Sequence, residues 1–286
     1  MPLLSVPRQQ QSTELLPPRT GDIRLWIDAS RARDISEALS ERVNQADNRA
    51  VAWTTADVPT RLDQGTANDR PDIGVWPGTN SFNGNQVMSF DTQSKSSKMH
   101  LDTTDNPTLD LFDTTAQPPF AIAVMMAASG YTPAKRHAVL KIYNSGGAGS
   151  FVELGQEAGA TPYPYVYMQD HAATQVADDR GGTAIATRGT SYVLSTDSDG
   201  DVLEGWLGRE KITWNTASAD SLDISTGDNY NAAAIQLAAG SGSDAGTQNF
   251  RGAVAEAIVW SGGLSADELN MLWAYFDERW QPDDNT

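Results

Sequence analysis

The sequence contains no cysteine, which removes disulfides, cysteine-ligated zinc and thiol nucleophiles together. It has no apolar run long enough to cross a bilayer, so a membrane partner is not expected. Positive charge is scarce: 20 Lys and Arg face 37 Asp and Glu, a formal charge of −17 that repels phosphate backbones and argues against nucleic-acid partners. Catalytic signatures are missing too, with no G-x-S-x-G, H-E-x-x-H or G-x-x-x-x-G-K-[ST], and with no Ser or Asp at a recognisable spacing from His100, His137 or His171. No catalytic residue is assigned. The opening MPLLSVPRQQQSTELLPP does not place an uninterrupted apolar core after a basic segment, so export by a signal peptide is not expected.

What is present is clearest near the C-terminal end. Ser265 and Glu268 form a capping box, which starts a helix at Ala266, and Leu264 and Leu269 flank it at the spacing of a hydrophobic staple. Leu269, Leu272, Trp273, Phe276 and Trp280 then recur at three- and four-residue intervals, giving one apolar face, and Pro282 ends the run. The preceding Ala253 to Trp260 has a two-residue period that sets Val254, Glu256, Ile258 and Trp260 against Ala255, Ala257 and Val259. Neither set is a solvent face, so this is an inner strand, and Glu256 needs a partner, which Arg24 or Arg251 could supply.

Other strands read less sharply. Leu25 to Ala29 is the first, a short helix is expected over Ile35 to Val43, and Val51 to Asp69 reads as loop. Phe120 to Ala128 alternates bulky residues with small ones, one face for a core and one for close packing. Asp91 to Pro118 has little periodicity and reads as an excursion at a sheet edge. Ala138 to Tyr143 turns through Asn144-Ser145-Gly146-Gly147 into Phe151 to Leu154. Short strands are also expected at Thr183 to Ala186, Ser191 to Ser195, Val202 to Leu207, Ile212 to Trp214, Leu222 to Ile224 and Ala232 to Leu237. Tyr163, Tyr165 and Tyr167 share one face of a strand, and Trp53 lies near the start of the 51–69 loop and Trp76 beyond its end; each of these five aromatics could stack on a sugar or fill a core. Asp197, Asp199 and Asp201 alternate like ligands of a hard cation, but Gly200 precedes the third Asp and Gly208 stands where a calcium loop needs its glutamate. A solvated turn is the simpler reading of DSDGD, and no cofactor other than calcium is suggested.

The run FRGAVAEAIVWSGGLSADELNMLWAYFDERW, with Leu25-Trp26-Ile27-Asp28-Ala29, Arg70-Pro71, Phe82-Asn83-Gly84 and Met88-Ser89-Phe90-Asp91 ahead of it, resembles concanavalin A-like (laminin-G-like) jelly-roll domains over about residues 23 to 280. The resemblance implies an all-β sandwich of two antiparallel sheets with a C-terminal amphipathic helix, here as one domain over 23–280 with an extended N-terminal arm over 1–22 and a tail over 281–286. Glycan-cleaving members of the fold resemble one another in an ExDxE or ExDxxE strand, which is not found here, so the chain is read as non-catalytic. The arm holds four prolines (Pro2, Pro7, Pro17, Pro18) with Gln9, Gln10 and Gln11, a composition that opposes helix and inner strand. Its Pro7, Gln9, Gln10, Gln11, Leu15 and Leu16 are candidates for docking on other virion proteins or on copies of the same chain; the alternative is an arm folded back on its own domain. Together these features suggest a structural or decoration protein on a phage virion surface, head or tail, with glycans as a further partner. The alternative is a carbohydrate-binding module or adhesin acting extracellularly, outside any virion.

Overall fold

The computed structural model describes residues 16–31, 33–35, 43–47, 61–63, 71–76, 81–90, 101–103, 119–129, 136–144, 151–169, 175–185, 189–197, 199–200, 202–215, 233–238 and 250–281. In chain order the first strands are β1 (Ile23–Asp28), β2 (Arg33–Ile35), β3 (Val43–Asp47), β4 (Arg61–Asp63), β5 (Asp72–Val75), β6 (Gln86–Ser89) and β7 (Leu101–Thr103). Then follow β8 (Phe120–Ala128), β9 (His137–Asn144), β10 (Phe151–Gln156), β11 (Pro164–Gln169) and β12 (Gln175–Arg180). The chain closes with β13 (Thr190–Thr196), β14 (Leu203–Leu207), β15 (Glu210–Lys211), β16 (Ala233–Leu237), β17 (Gly252–Ser261) and the helix α1 (Ala266–Trp280).

These strands form two antiparallel sheets. One runs β15-β14-β13-β8-β17-β6-β5, with β1 also on β17; the other runs β12-β11-β10-β9-β16-β7-β4-β3-β2. Large alternate residues fill the space between them: Leu25, Ile27, Ile122, Val124, Met126, Leu140, Ile142, Leu154, Val166, Leu194 and Val259 make one buried cluster. On the other side of the eight-stranded sheet, Ala121, Ala123 and Ala127 leave a shallow surface into which α1 sets Leu269, Leu272, Tyr275, Phe276 and Trp280. The result is a jelly-roll sandwich carrying its helix on one outer face. No described helix is long and apolar enough to cross a membrane.

The helix begins where the capping box places it: Glu268 accepts from the Ser265 N–H at 2.7 Å, and the Ser265 hydroxyl accepts from the Glu268 N–H at 3.4 Å. Its start is tied to the sheet by Leu264 N–H donating to Ser195 Oγ at 2.8 Å. At the other end Gln281 turns left-handed, and its N–H donates to the Asp277 carbonyl. Phe82 and Asn83, at φ 57° and 53°, occupy a region that costs a non-glycine residue about 1–2 kcal/mol. Phe82 is held there edge-on to Trp280, with centroids 6.3 Å apart, and Asn85 donates to the Arg279 carbonyl at 2.7 Å.

The structure departs from the expected elements in several places, among them Leu101–Thr103, which falls within the expected 91–118 edge excursion but is β7, paired on both sides between β16 and β4. Ile35 and Val43, expected in one helix, are paired across the antiparallel strands β2 and β3. Arg61–Asp63, within the expected 51–69 loop, is a strand. Residues 183–185 make no strand, and near 212–214 only Trp214 forms an isolated bridge, to Gly181. β12, reading QVADDR, was not anticipated at all; an edge strand with a polar outer side shows no apolar alternation. Finally, the pairing of β17 with β8 shifts between Val254 and Glu256, a bulge at Ala255. Val254 therefore lies in the core between the sheets, while Glu256 faces the helix beside Ile258 and Trp260.

Candidate functional site

In the nine-stranded sheet, Leu140, Ile142, Val152, Leu154, Val166 and Met168 point into the core. The residues between them therefore project from the opposite, outer face. Strand register aligns these into one cross-strand row: Gln236 opposite Lys141, Lys141 opposite Glu153, Glu153 opposite Tyr167, and Tyr167 opposite Asp178. Directly opposed side chains lie within contact range, so the row is a continuous polar strip over five strands.

The centre of the strip is sealed. Glu153 is fully buried, accepts from the Tyr165 hydroxyl at 3.0 Å and lies 3.7 Å from the Lys141 ammonium. Tyr165 is also buried, and its carbonyl accepts from the Tyr192 hydroxyl at 2.9 Å, linking the strip to the sandwich core. Towards β12 the strip opens. Arg136 donates to Glu157 at 2.9 Å and to Asp178 at 2.5 Å, and its guanidinium lies 5.2 Å from the Tyr165 ring centroid. Tyr163, Tyr167, Gln169 and Asp178 are half-buried, and exposed Arg180 lies 5.6 Å from the Tyr163 ring centroid. Aromatic faces beside amide and carboxylate groups can receive a sugar ring and its hydroxyls. Burial, then the Asp178 and Glu153 charges, raises the Tyr167 hydroxyl above its ordinary value, with Arg136 acting the other way. Tyr167 is thus protonated at neutral pH.

Of the expected glycan platforms, Tyr163 and Tyr167 come together on this opening and Tyr165 lies beneath it. Tyr165 cannot stack on a ligand, because its ring is covered and its hydroxyl is spent on Glu153. Trp76 is a core filler in the helix-side cluster, and Trp53 lies outside the described residues. Lys141, Glu153, Arg136, Glu157 and Asp178 were not singled out from sequence. The available signal was a charge at an alternate position of an apolar strand, as in Leu140-Lys141-Ile142 and Val152-Glu153-Leu154.

The proposed cation loop serves the β13–β14 turn. Asp197 accepts the Val202 N–H at 3.3 Å, and Gly200 adopts φ 82°. Asp199 is exposed and Asp201 lies outside the described residues. Among the described residues no group of three His, Asp or Glu is placed to hold a metal ion. In the arm, Pro7, Gln9, Gln10, Gln11 and Leu15 lie outside the described residues, whereas Leu16 packs on the helix-side cluster. Thr20–Asp22 is a 3-10 turn rather than extended chain. Trp260 Nε1 donates to the Pro18 carbonyl at 2.9 Å, and Arg19 donates to the Gly263 and Ser261 carbonyls.

A second polar cluster lies under α1. Glu256 accepts from Trp26, from Tyr275 at 2.6 Å and from Trp280 at 2.5 Å, and Arg279 bonds Asp28 at 2.6 Å while lying 3.9 Å from Glu256. Its cation is therefore Arg279, supplied by the helix, and not Arg24 or Arg251. Asp28 faces Glu256 across the β1–β17 ladder, and Arg279 offsets the repulsion of that like-charged pair.

Two buried groups make stability depend on pH in opposite senses. Burial, with Arg251 adding, lowers His137 from 6.5 to about 4, so it stays neutral in the folded chain. Its contribution is complete above the unfolded value and is lost as pH falls through the folded one. Burial, with Asp28 adding and Arg279, Tyr275 and Trp280 opposing, raises Glu256 from 4.5 to about 7, so its contribution is complete at low pH and is lost as pH rises. Replacing His137 by Gln removes one slope. The stability of wild type minus H137Q is expected to rise by about 2–3 kcal/mol as pH increases across the His137 window, at roughly 1.4 kcal/mol per pH unit. Urea unfolding at several pH values measures this, and a pH-independent difference would contradict it.

In sequence, no family model and no curated protein matches the chain. In structure, the chain is similar to botulinum neurotoxin type C, which depends on interaction with two ganglioside molecules to enter cells (TM-score 0.53, 8% identity, 89% of this chain and 51% of that chain). It is also similar to the binding domain of botulinum neurotoxin DC in complex with rat synaptotagmin II (TM-score 0.55, 8% identity, 89% and 52%). A slighter likeness is to the CBM40 of the Ruminococcus gnavus IT-sialidase bound to α2,3-sialyllactose (TM-score 0.41, 15% identity, 56% and 82%). The chain spans about half the length of the neurotoxin chains it matches. Likeness at such identity is one of fold: this chain and the neurotoxin binding domain share the β sandwich.

Proposed function

We propose that the chain is a glycan-contact domain without catalytic activity, and that its contact face is the outer side of β9 to β12. The observation that carries this reading is the cross-strand row from Gln236 to Asp178, which opens at Tyr163, Tyr167 and Gln169. Half-buried tyrosine rings beside an amide and a carboxylate present stacking faces and hydrogen-bonding groups together, the combination a sugar uses. The dependence of the similar type C neurotoxin on gangliosides supports the same reading. The carboxylates of the strip are engaged by Lys141 and Arg136, an arrangement suited to holding shape and hydrogen bonds, not to transferring protons. A glycan array is expected to give hits that weaken about tenfold or more in Tyr167→Ala, as for loss of an aromatic contact at the centre of an interface. An array silent over broad glycan classes would remove the reading.

A second reading concerns display. Leu16 to Arg19 is fastened beside α1, on the outer face of the eight-stranded sheet, so the N-terminal arm meets the body on the side opposite the polar strip. An arm anchored in an assembly such as a virion would leave the strip turned outward. Deleting residues 1–15 is then expected to abolish incorporation into particles without changing the melting temperature of the domain; full incorporation of the truncated chain would refute the anchor.

A further inference from the structure

We infer that the β9–β12 face selects uncharged glycans and discriminates against sialylated or sulfated ones; the inference rests on the glycan-contact reading above. Recognition of an anionic sugar is strongest with a cation whose donors are available, above all an arginine fork that grips two oxygens at once. On this face the central cations are already engaged within the protein. Arg136 spends Nε on both Glu157 oxygens, at 3.1 and 2.9 Å, and Nη1 on Asp178 at 2.5 Å. Lys141 is only 8% exposed, lies 3.7 Å from Glu153, and sits 5.7 Å from the Tyr143 ring centroid.

An incoming carboxylate or sulfate that reached Arg136 would compete with Glu157 and Asp178 for the guanidinium and stand beside their negative charge. Arg180 lies at the rim on the edge strand β12, stacked over Tyr163 and exposed, where a single charge pair is worth little. Among the described residues of the face, three carboxylates (Glu153, Glu157, Asp178) balance three cations (Lys141, Arg136, Arg180), in a molecule whose net charge is −17. The long-range field therefore opposes an anionic ligand and the short-range contacts do not compensate. A neutral sugar meets no such opposition. It can use the half-buried tyrosine rings for stacking and the Gln169 amide for its hydroxyls.

The test is a panel of matched oligosaccharides, each presented as the neutral glycan and as the same glycan with terminal sialic acid or sulfate, at low ionic strength and with the full chain as probe. The neutral member of each binding pair is expected to give at least a tenfold tighter apparent Kd. Equal or tighter binding of the acidic member would overturn this inference while leaving the glycan-contact reading in place, whereas no binding by either member would remove both. A second arm uses Glu157→Gln with Asp178→Asn, which keeps side-chain volume and frees the Arg136 fork. The neutral-to-acidic preference is expected to shrink at least fivefold in that variant, and an unchanged ratio would show that the internal pairing does not set it. Arg180→Gln should leave the ratio within a factor of two; collapse of acidic binding in that variant would place an anion site at the rim and overturn the inference.

Discussion

Replacing Glu256 by alanine is expected to destabilise the domain by about 3–5 kcal/mol, because three buried donors lose their acceptor at about 1–3 kcal/mol each. The carboxylate is fully buried and accepts from three side-chain donors, Trp26 on β1 and Tyr275 and Trp280 on α1. Without it those donors lose their acceptor in a site closed to water, and each unsatisfied buried group costs about 1–3 kcal/mol. Arg279 keeps Asp28, so the charge is not wholly stranded. A drop of roughly 2–4 °C in melting temperature per kcal/mol is expected for a domain of this size class. The double variant Glu256→Ala with Arg279→Met should lose less than the sum of the two single losses, because both act on one network. A single-variant loss below about 1 kcal/mol would mean that the helix is held by its apolar face alone.

Gly155→Ala should cost at least about 3 kcal/mol, the upper end of overpacking penalties, and is expected to reduce soluble yield sharply. A Cβ built on Gly155 would stand 2.0 Å from the His137 carbonyl oxygen and 2.9 Å from Ala138 Cα. These are backbone atoms of the neighbouring strand, and no rotamer change can move them. The β9–β10 ladder must open at its bulge, where pairing passes from Leu154 opposite Leu140 to Gly155 opposite Ala138. That bulge is two residues from the Lys141–Glu153 pair, so the polar strip would lose its register with the sheet. Gly74→Ala is the control: nothing lies within 4 Å of the added carbon, and a change within about 0.5 kcal/mol is expected. Equal melting temperatures for the two variants would contradict the clash.

The two substitutions probe opposite outer faces of the sandwich, and these differed in how much of them could be read beforehand. The helix face was largely legible. The capping box depends on residues three apart, and the apolar spacing of α1 is a local property, so Ser265, Glu268, Leu269, Leu272, Phe276 and Trp280 fell where spacing put them. Tyr275 was not anticipated, since it lies at the edge of that stripe and earns its place through a hydroxyl bond to Glu256. The strip on the nine-stranded sheet was legible only in its tyrosines. Lys141, Glu153 and Asp178 come from three strands and meet through register, which no single stretch of chain encodes.

By itself the sequence determined the alternation of Phe120–Ala128, the capped helix and the absence of thiol chemistry, because each is fixed by neighbours along the chain. Tertiary structure alone decided which side Val254 takes, through one extra residue at Ala255. It also decided which cation stands near Glu256, and that Arg136 pairs with Glu157 and Asp178. A bulge, a buried charge and a cross-strand row all depend on distances between segments far apart in sequence, and packing sets those distances only once both sheets have closed.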